Sequence, residues 1–195
     1  MDAASSPVKR IILASNSPRR KELLAGLGLE FEVRVMSGID ESYPDDLSAE
    51  EIPQYISQQK AESYQLTTDE VLITADTIVY LDGEVLGKPT DRESAIQMLQ
   101  MLSGRTHLVV TGVTLRTTGW QHTFSCVTKV TFATLTPQEI VYYVDTFLPM
   151  DKAGAYGIQE WIGYIGVTSI EGSYFNVMGL PVQRLYTELK KLYII

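Results

Sequence analysis

The sequence predicts an α/β protein built on a mixed β-sheet, on three observations. Strand-like apolar runs alternate with amphipathic helical segments along the chain. Two turn signals, Asp82-Gly83 and Thr118-Gly119, join β-rich runs into hairpins, so the sheet is not all parallel. The 195 residues are 45% hydrophobic, enough for a core and short enough for a single domain, 1–195.

Residues 1–9 read as a frayed N-terminus, rich in Ala, Ser and Asp over its first seven positions. Residues 11–15 read as a short strand. A helix follows over residues 18–26, with Ser17 as N-cap and Pro18 at the first helical position. Residues 31–35 form a second strand. Ser48 and Glu51 have capping-box spacing and open a helix running to about residue 65. Residues 71–81 form an apolar strand that turns at Asp82-Gly83 into Val85 and Leu86. Thr90 and Glu93 have capping-box spacing for a helix carrying Ala95, Ile96, Leu99 and Leu102, which Gly104 stops. Residues 107–116 and 123–133 are paired β-runs. Thr136, Pro137 and Glu139 open a helix over residues 136–147. Residues 164–170 read as a strand, and residues 181–192 as the last helix.

Composition removes several function classes. The formal net charge of −8 argues against sequence-independent binding to DNA or RNA, which needs a basic face. No apolar run reaches the roughly 20 residues of a membrane-spanning helix. Residues 1–10 contain no apolar signal region, so a cytoplasmic protein is expected. The single cysteine, Cys126, cannot form an internal disulfide and reads as a small buried strand residue. Two histidines are too few for a histidine-rich metal site, so a bound metal would be a hard ion held by carboxylates.

Residues with chemical potential fall in separate stretches. In Ser15-Asn16-Ser17-Pro18-Arg19-Arg20, two arginines sit in the first turn of a helix, where the dipole disfavours cations. With the free N–H groups of that turn they form an anion-binding corner. Asp76 interrupts the apolar run Val71-Leu72-Ile73-Thr74-Ala75-Asp76-Thr77-Ile78. A carboxylate there must be paired or bind a metal to offset its desolvation. Glu41 in a polar loop and Lys60 on a helix read, taken singly, as surface. Lys88 in Gly87-Lys88-Pro89 sits in a loop between conformationally special residues. The segments from Asp151 to Gln159 and from Gly172 to Pro181 are rich in small residues that let a backbone approach a ligand. No Gly-x-x-x-x-Gly-Lys-Ser/Thr loop is present, which counts against a P-loop phosphotransferase.

Taken in order, these stretches resemble the Maf family of nucleotide pyrophosphatases over almost the whole chain. The resemblance rests on Ser15 to Arg20, Glu41, Lys60, Ala75-Asp76-Thr77, Gly87-Lys88-Pro89, Ser103-Gly104 with Thr106-His107, Asp151 to Gln159, and Asn176 with Gly179-Leu180-Pro181. It implies an elongated mixed sheet with flanking helices and two lobes around a central cleft, similar to inosine-triphosphate pyrophosphatases. It implies hydrolysis of a nucleoside triphosphate between the α- and β-phosphates, with a divalent cation, Mg²⁺ or Mn²⁺. Asp76 would be the proton acceptor and, with Glu41, a metal ligand. Ser15, Ser17, Arg20, Lys60 and Lys88 would contact the phosphates. The resemblance to the dTTP/UTP-cleaving branch rests on Arg19, Thr77 and Gln159, which would select the base. Gln159 offers both a donor and an acceptor to the O4 and N3–H edge that thymine and uracil share. Asn16 and Met178 depart from the family's usual residues without touching these roles. Family members are often dimers, so a homodimer is also expected. Two further readings stay open: a nucleotide-binding regulator of cell division, and an enzyme acting on modified pyrimidine nucleotides.

Overall fold

The computed structural model describes residues 9–195; the expected fraying of residues 1–9 falls largely outside them. Strands β1 (Arg10–Leu13), β2 (Phe31–Val33), β3 (Glu70–Leu81), β4 (Glu84–Leu86), β5 (Thr106–Arg116), β6 (Gln121–Phe132) and β7 (Val167–Glu171) form one mixed sheet. Its order is β2-β1-β3-β5-β6-β7, with β4 paired to β3. The β1 pairings to β2 and β3 are parallel; all others are antiparallel. The fold class is therefore the one expected, a mixed α/β sheet with flanking helices.

Helix α1 (Pro18–Ala25) starts as predicted, with the Ser17 hydroxyl accepting from the Arg20 N–H. Helix α2 (Glu51–Glu62) keeps half of its expected capping box. The Ser48 N–H donates to the Glu51 carboxylate at 2.9 Å, but the Ser48 hydroxyl caps nothing. Helix α3 (Arg92–Leu102) is capped by Asp91 and Ser94 rather than Thr90 and Glu93. Asp91, one residue nearer the helix, supplies a carboxylate for the Ser94 N–H at 2.7 Å, which a threonine one position earlier does not reach. Helix α4 (Pro137–Phe147) carries the complete Thr136/Glu139 box.

The strand expected over residues 164–170 is instead helix α5 (Trp161–Gly166) followed by β7. A short apolar run carries no period that separates strand from buried helix. Helix α6 (Tyr174–Met178) falls in the small-residue segment, and α7 (Val182–Lys191) closes the chain. Cys126 is half-buried on β6 opposite Thr111, not fully buried as expected, and burial pushes its thiol pKa up.

Side-chain alternation divides the sheet between two cores. On one face Ile78 and Val110 pack with Ile52 and Ile56 of α2, and Thr74 Oγ1 donates to the Ser57 carbonyl at 2.7 Å. On the other face Leu13, Ile73, Val79, Val109, Val113 and Phe132 pack with α1, α3, α4 and α7. Helix α2 lies very close to the sheet. A Cβ on Gly112 would stand 2.3 Å from the Pro53 carbonyl carbon and oxygen.

Glu70 ties the parallel corner together. It is 2% exposed and accepts from Arg34 at 2.7 Å and Arg10 at 3.0 Å. The Arg34 hydrogen bond foremost outweighs burial and pulls its pKa from 4.5 to about 2.

Two outcomes follow. Gly112→Ala should lower stability by about 3 kcal/mol or more, because backbone rather than a movable side chain blocks the methyl; urea unfolding measures this. For Glu70, a folded pKa below the unfolded one gives stability that is present above about pH 4.5 and lost as pH falls towards about 2. Melting temperatures of wild type and Glu70→Gln should therefore converge as pH is lowered through that window.

Candidate active site

Strand β3 is paired with β5 without interruption from Leu72 to Tyr80, but its other side is not continuously paired. On that side β1 pairs with residues 70–73 and β4 with residues 79–81. Residues 74–78 between them face no strand. The chain leaves β1 at Leu13, and the Ala14 N–H still bonds the Ile73 carbonyl at 2.9 Å before the backbone turns into α1. The interruption opens a cleft of about 410 Å³ at the C-terminal end of β1. Ligands in α/β sheets collect at such strand ends.

All ten residues singled out from the sequence line this one cleft: Ser15, Ser17, Arg19, Arg20, Glu41, Lys60, Asp76, Thr77, Lys88 and Gln159. They arrive from different elements. Asp76 and Thr77 are consecutive on β3 and point to opposite faces, so only an unpaired edge lets one cleft reach both.

On the α2 face, the Lys60 ammonium lies between two carboxylates, 2.8 Å from Asp76 Oδ1 and 3.0 Å from Glu41 Oε1. Asp76 is 13% exposed and Glu41 51%. The two acids thus share one cation position. Among the described residues no group of three or more His, Cys, Asp or Glu side chains could hold a metal. This donor set suits a hard cation that takes one or two carboxylates and completes its shell with substrate phosphate oxygens. It does not suit a resident, all-protein metal cage.

On the opposite face, Arg20 is a tie between elements. Its Nε donates to the Gly179 carbonyl at 2.8 Å, Nη1 to the Ala75 carbonyl at 3.0 Å and Nη2 to Thr77 Oγ1 at 3.0 Å. The Ala75 bond satisfies one carbonyl on the open edge of β3. Burial lowers the Arg20 pKa, while the nearby Asp76 charge opposes that shift. Three of its five N–H groups are committed to protein, leaving two for a phosphate. Thr77 is committed as well. Thr111 Oγ1 donates to the Asn176 carbonyl at 3.1 Å, so the Thr77 hydroxyl must donate to Thr111, at 2.9 Å, while accepting from Arg20. Ser15 Oγ accepts from the Ser17 N–H at 3.2 Å and Ser17 Oγ caps α1. Both hydroxyl hydrogens remain able to donate to an anion.

Lys88 is exposed on the loop after β4. The Gly154 N–H holds that loop by bonding the Gly87 carbonyl at 3.0 Å. Gly154 has φ +67°, and a Cβ there would meet Val79 Cγ2 at 2.8 Å. Arg19 Nη1 donates to Asp151 Oδ2 at 3.0 Å. Burial works to raise the Asp151 pKa, but hydrogen bonds from Lys152 and Arg19 overcome it and hold the group at about 2. Gln159 Oε1 is buried and has no hydrogen-bond partner among the described residues.

Several motif residues serve the fold. Ser103 Oγ accepts from the Leu135 N–H at 2.7 Å, and Thr106 pairs with Thr131 at 2.8 Å. His107 Nε2 bonds the Tyr156 hydroxyl at 2.7 Å; burial pulls its pKa to about 4 and keeps it neutral. Asn176 Nδ2 bonds the Val109 and Cys126 carbonyls and Thr128 Oγ1, fastening α6 to β5 and β6. The sequence reading passed over Tyr143, Lys152 and Glu160, which form a network behind Gln159. Lys152 lies within the small-residue segment and Glu160 directly after it, and a charge in or beside an otherwise small and apolar stretch is the available signal. Tyr143 offered none.

The cleft at the strand ends of this mixed sheet gathers Arg19, Arg20, Lys60 and Lys88 beside the Asp76 and Glu41 carboxylates, a set of charges suited to a phosphate-bearing ligand. The chain belongs to the Maf family: it matches the family described as Maf-like protein over residues 10–192. It is 66% identical to a dTTP/UTP pyrophosphatase of Phocaeicola vulgatus over 94% of this chain and 96% of that one. It is 62% identical to a dTTP/UTP pyrophosphatase of Bacteroides thetaiotaomicron with the same coverages. A solved HAM1 protein from Coxiella burnetii aligns at 15% identity, covering 94% of this chain and 99% of that one, with TM-score 0.47.

Arg20→Lys should destabilise the protein by about 2 kcal/mol or more, because an ammonium cannot reach all three acceptors in the plane of a guanidinium. Chemical unfolding without nucleotide separates this from any effect on binding.

Proposed function

We propose that the protein hydrolyses nucleoside triphosphates, preferentially dTTP and UTP, between the α- and β-phosphates, releasing the monophosphate and pyrophosphate. The observation that carries this reading is the unpartnered Gln159 oxygen in the same cleft as the Asp76–Lys60–Glu41 cluster. The cleft thus offers an acceptor for a pyrimidine N–H together with charges suited to phosphates and a cation. The names of the relatives support the same substrates.

In this reading Asp76 accepts the proton of the attacking water as the α–β anhydride bond breaks. Lys60, Lys88 and the free N–H groups of Arg20 attract the phosphate oxygens, and Ser15 and Ser17 donate to them. Glu41 and Asp76 would hold Mg²⁺ or Mn²⁺. When bound, such an ion offsets negative charge on the phosphate oxygens. Gln159 would read the base edge, with Arg19 and Thr77 shaping the pocket beside it. Among the described residues no helix is long and apolar enough to cross a membrane. The lone Cys126 supports a cytoplasmic setting.

A panel of nucleoside triphosphates with Mg²⁺ or Mn²⁺, scored separately for pyrophosphate and orthophosphate, tests the reading. Pyrophosphate should appear, fastest with dTTP and UTP. Asp76→Ala should lower kcat by about 10²-fold or more, and Gln159→Glu should erase the preference for UTP over CTP. Orthophosphate as the primary product would exclude α–β cleavage, and unchanged turnover in Asp76→Ala would exclude its role as proton acceptor.

A further inference from the structure

Gln159 sits in a turn spanning residues 157–160, closed by the Glu160 N–H on the Gly157 carbonyl at 3.0 Å. A single buried hydroxyl holds both ends of that turn. The Tyr143 oxygen accepts from the Gly157 N–H at 3.0 Å and donates to Glu160 Oε2. Tyr143 comes from α4, is fully buried, and stacks on Phe147 with ring centroids 5.1 Å apart. Burial first, and the Glu160 carboxylate second, raise its pKa, so it stays a donor at any working pH.

From Glu160 the chain of contacts continues across the cleft wall. Lys152, 9% exposed, bonds Glu160 Oε1 at 3.2 Å and Asp151 Oδ1 at 2.8 Å, and Asp151 Oδ2 receives Arg19 at 3.0 Å. Gln159 and Arg19 are therefore ends of one scaffold, and the Gln159 side-chain oxygen takes no part in holding the turn in place. Among the described residues Gln159 Oε1 is left buried and without a partner, a state that disfavours the free protein and favours a ligand that brings a donor to it.

We propose that Tyr143, Glu160, Lys152 and Asp151 are positioning residues for base selection: they fix the Gln159 carbonyl and the Arg19 guanidinium relative to each other, so that only a base presenting an N–H at the Gln159 oxygen is accepted. The proposal rests on the pyrimidine triphosphate reading above. It adds that discrimination depends on residues behind the cleft lining, Tyr143 and Glu160, acting through Lys152 and Asp151, which line it. In Tyr143→Phe the turn loses both of its anchors while the ring packing survives. In Asp151→Asn the ionic link to Arg19 and Lys152 is weakened at the exposed end of the network.

The test measures kcat and KM for UTP and CTP in wild type, Tyr143→Phe and Asp151→Asn, with circular dichroism to verify folding. The ratio of kcat/KM for UTP over CTP should fall about tenfold in Tyr143→Phe, through a higher KM for UTP, and by a smaller factor in Asp151→Asn. An equal loss for both nucleotides would mark the network as merely structural and overturn the proposal. Should Tyr143→Phe fail to fold, Asp151→Asn decides alone, and an unchanged ratio there overturns it. Wild type that cleaves neither nucleotide, or does not distinguish them, defeats the substrate reading first and this proposal with it. That failure is visible before any variant is compared.

Discussion

The site depends on how closely α2 lies on the sheet. Lys60 can reach Asp76 only because the helix backbone at Pro53 touches β5 where residue 112 has no side chain. Gly112 is the ladder partner of Asp76, so the close approach and the acidic group are set by one pair of facing positions. Buried bonds fasten the helix in that place: Thr74 to the Ser57 carbonyl, and Ser57 to Thr114 at 2.8 Å. An ionic group inside a sheet requires a well-placed partner to offset its desolvation, and the close contact at Gly112 helps hold α2 where Lys60 meets Asp76.

The second constraint is the alternation of β3. Asp76 faces the helix α2 layer, where it meets Lys60 and Glu41. Thr77 faces the larger core, where it meets Arg20 and, through Thr111, the carbonyl of Asn176. The cleft wraps around the strand edge and joins the two layers. The Asp76–Lys60–Glu41 cluster therefore lies on one side, and the anion-binding groups of the α1 and α6 corner on the other. Arg20 contributes both to the fold and to the charge of the cleft.

Much of this was legible in the sequence. The long strands showed themselves because β3, β5 and β6 are apolar over many residues and bounded by turn residues whose backbone matches; Asp82 and Gly83 both have positive φ, as a tight hairpin requires. Asp76 stood out because a charge within such a run needs a partner. The Thr136–Glu139 box was plain because both halves form. What escaped depends on distance in sequence. The run from Trp161 to Gly166 is too short to show a period, and it becomes a helix through packing, with Ile162 fully buried. Asp91 displaces Thr90 as cap by a matter of geometry one residue wide. Tyr143 and Glu160 are 17 positions apart and meet only in the folded chain. Gly112 looks like any strand glycine until the helix that needs it is in place.

The gap beside β3 has one more consequence. Unpaired strand backbone is the usual template for joining a foreign chain, and proteins shield it with charges, short edges or covering elements. Here the unpaired stretch covers only residues 74–78, largely buried in the interior of the sheet, with β1 ending on one side of it and β4 beginning on the other. An intruding strand would find no room to add more than a few bonds, and the Ala75 carbonyl is already taken by Arg20. The protein thus keeps bare backbone next to its reactive groups without offering a seed for aggregation.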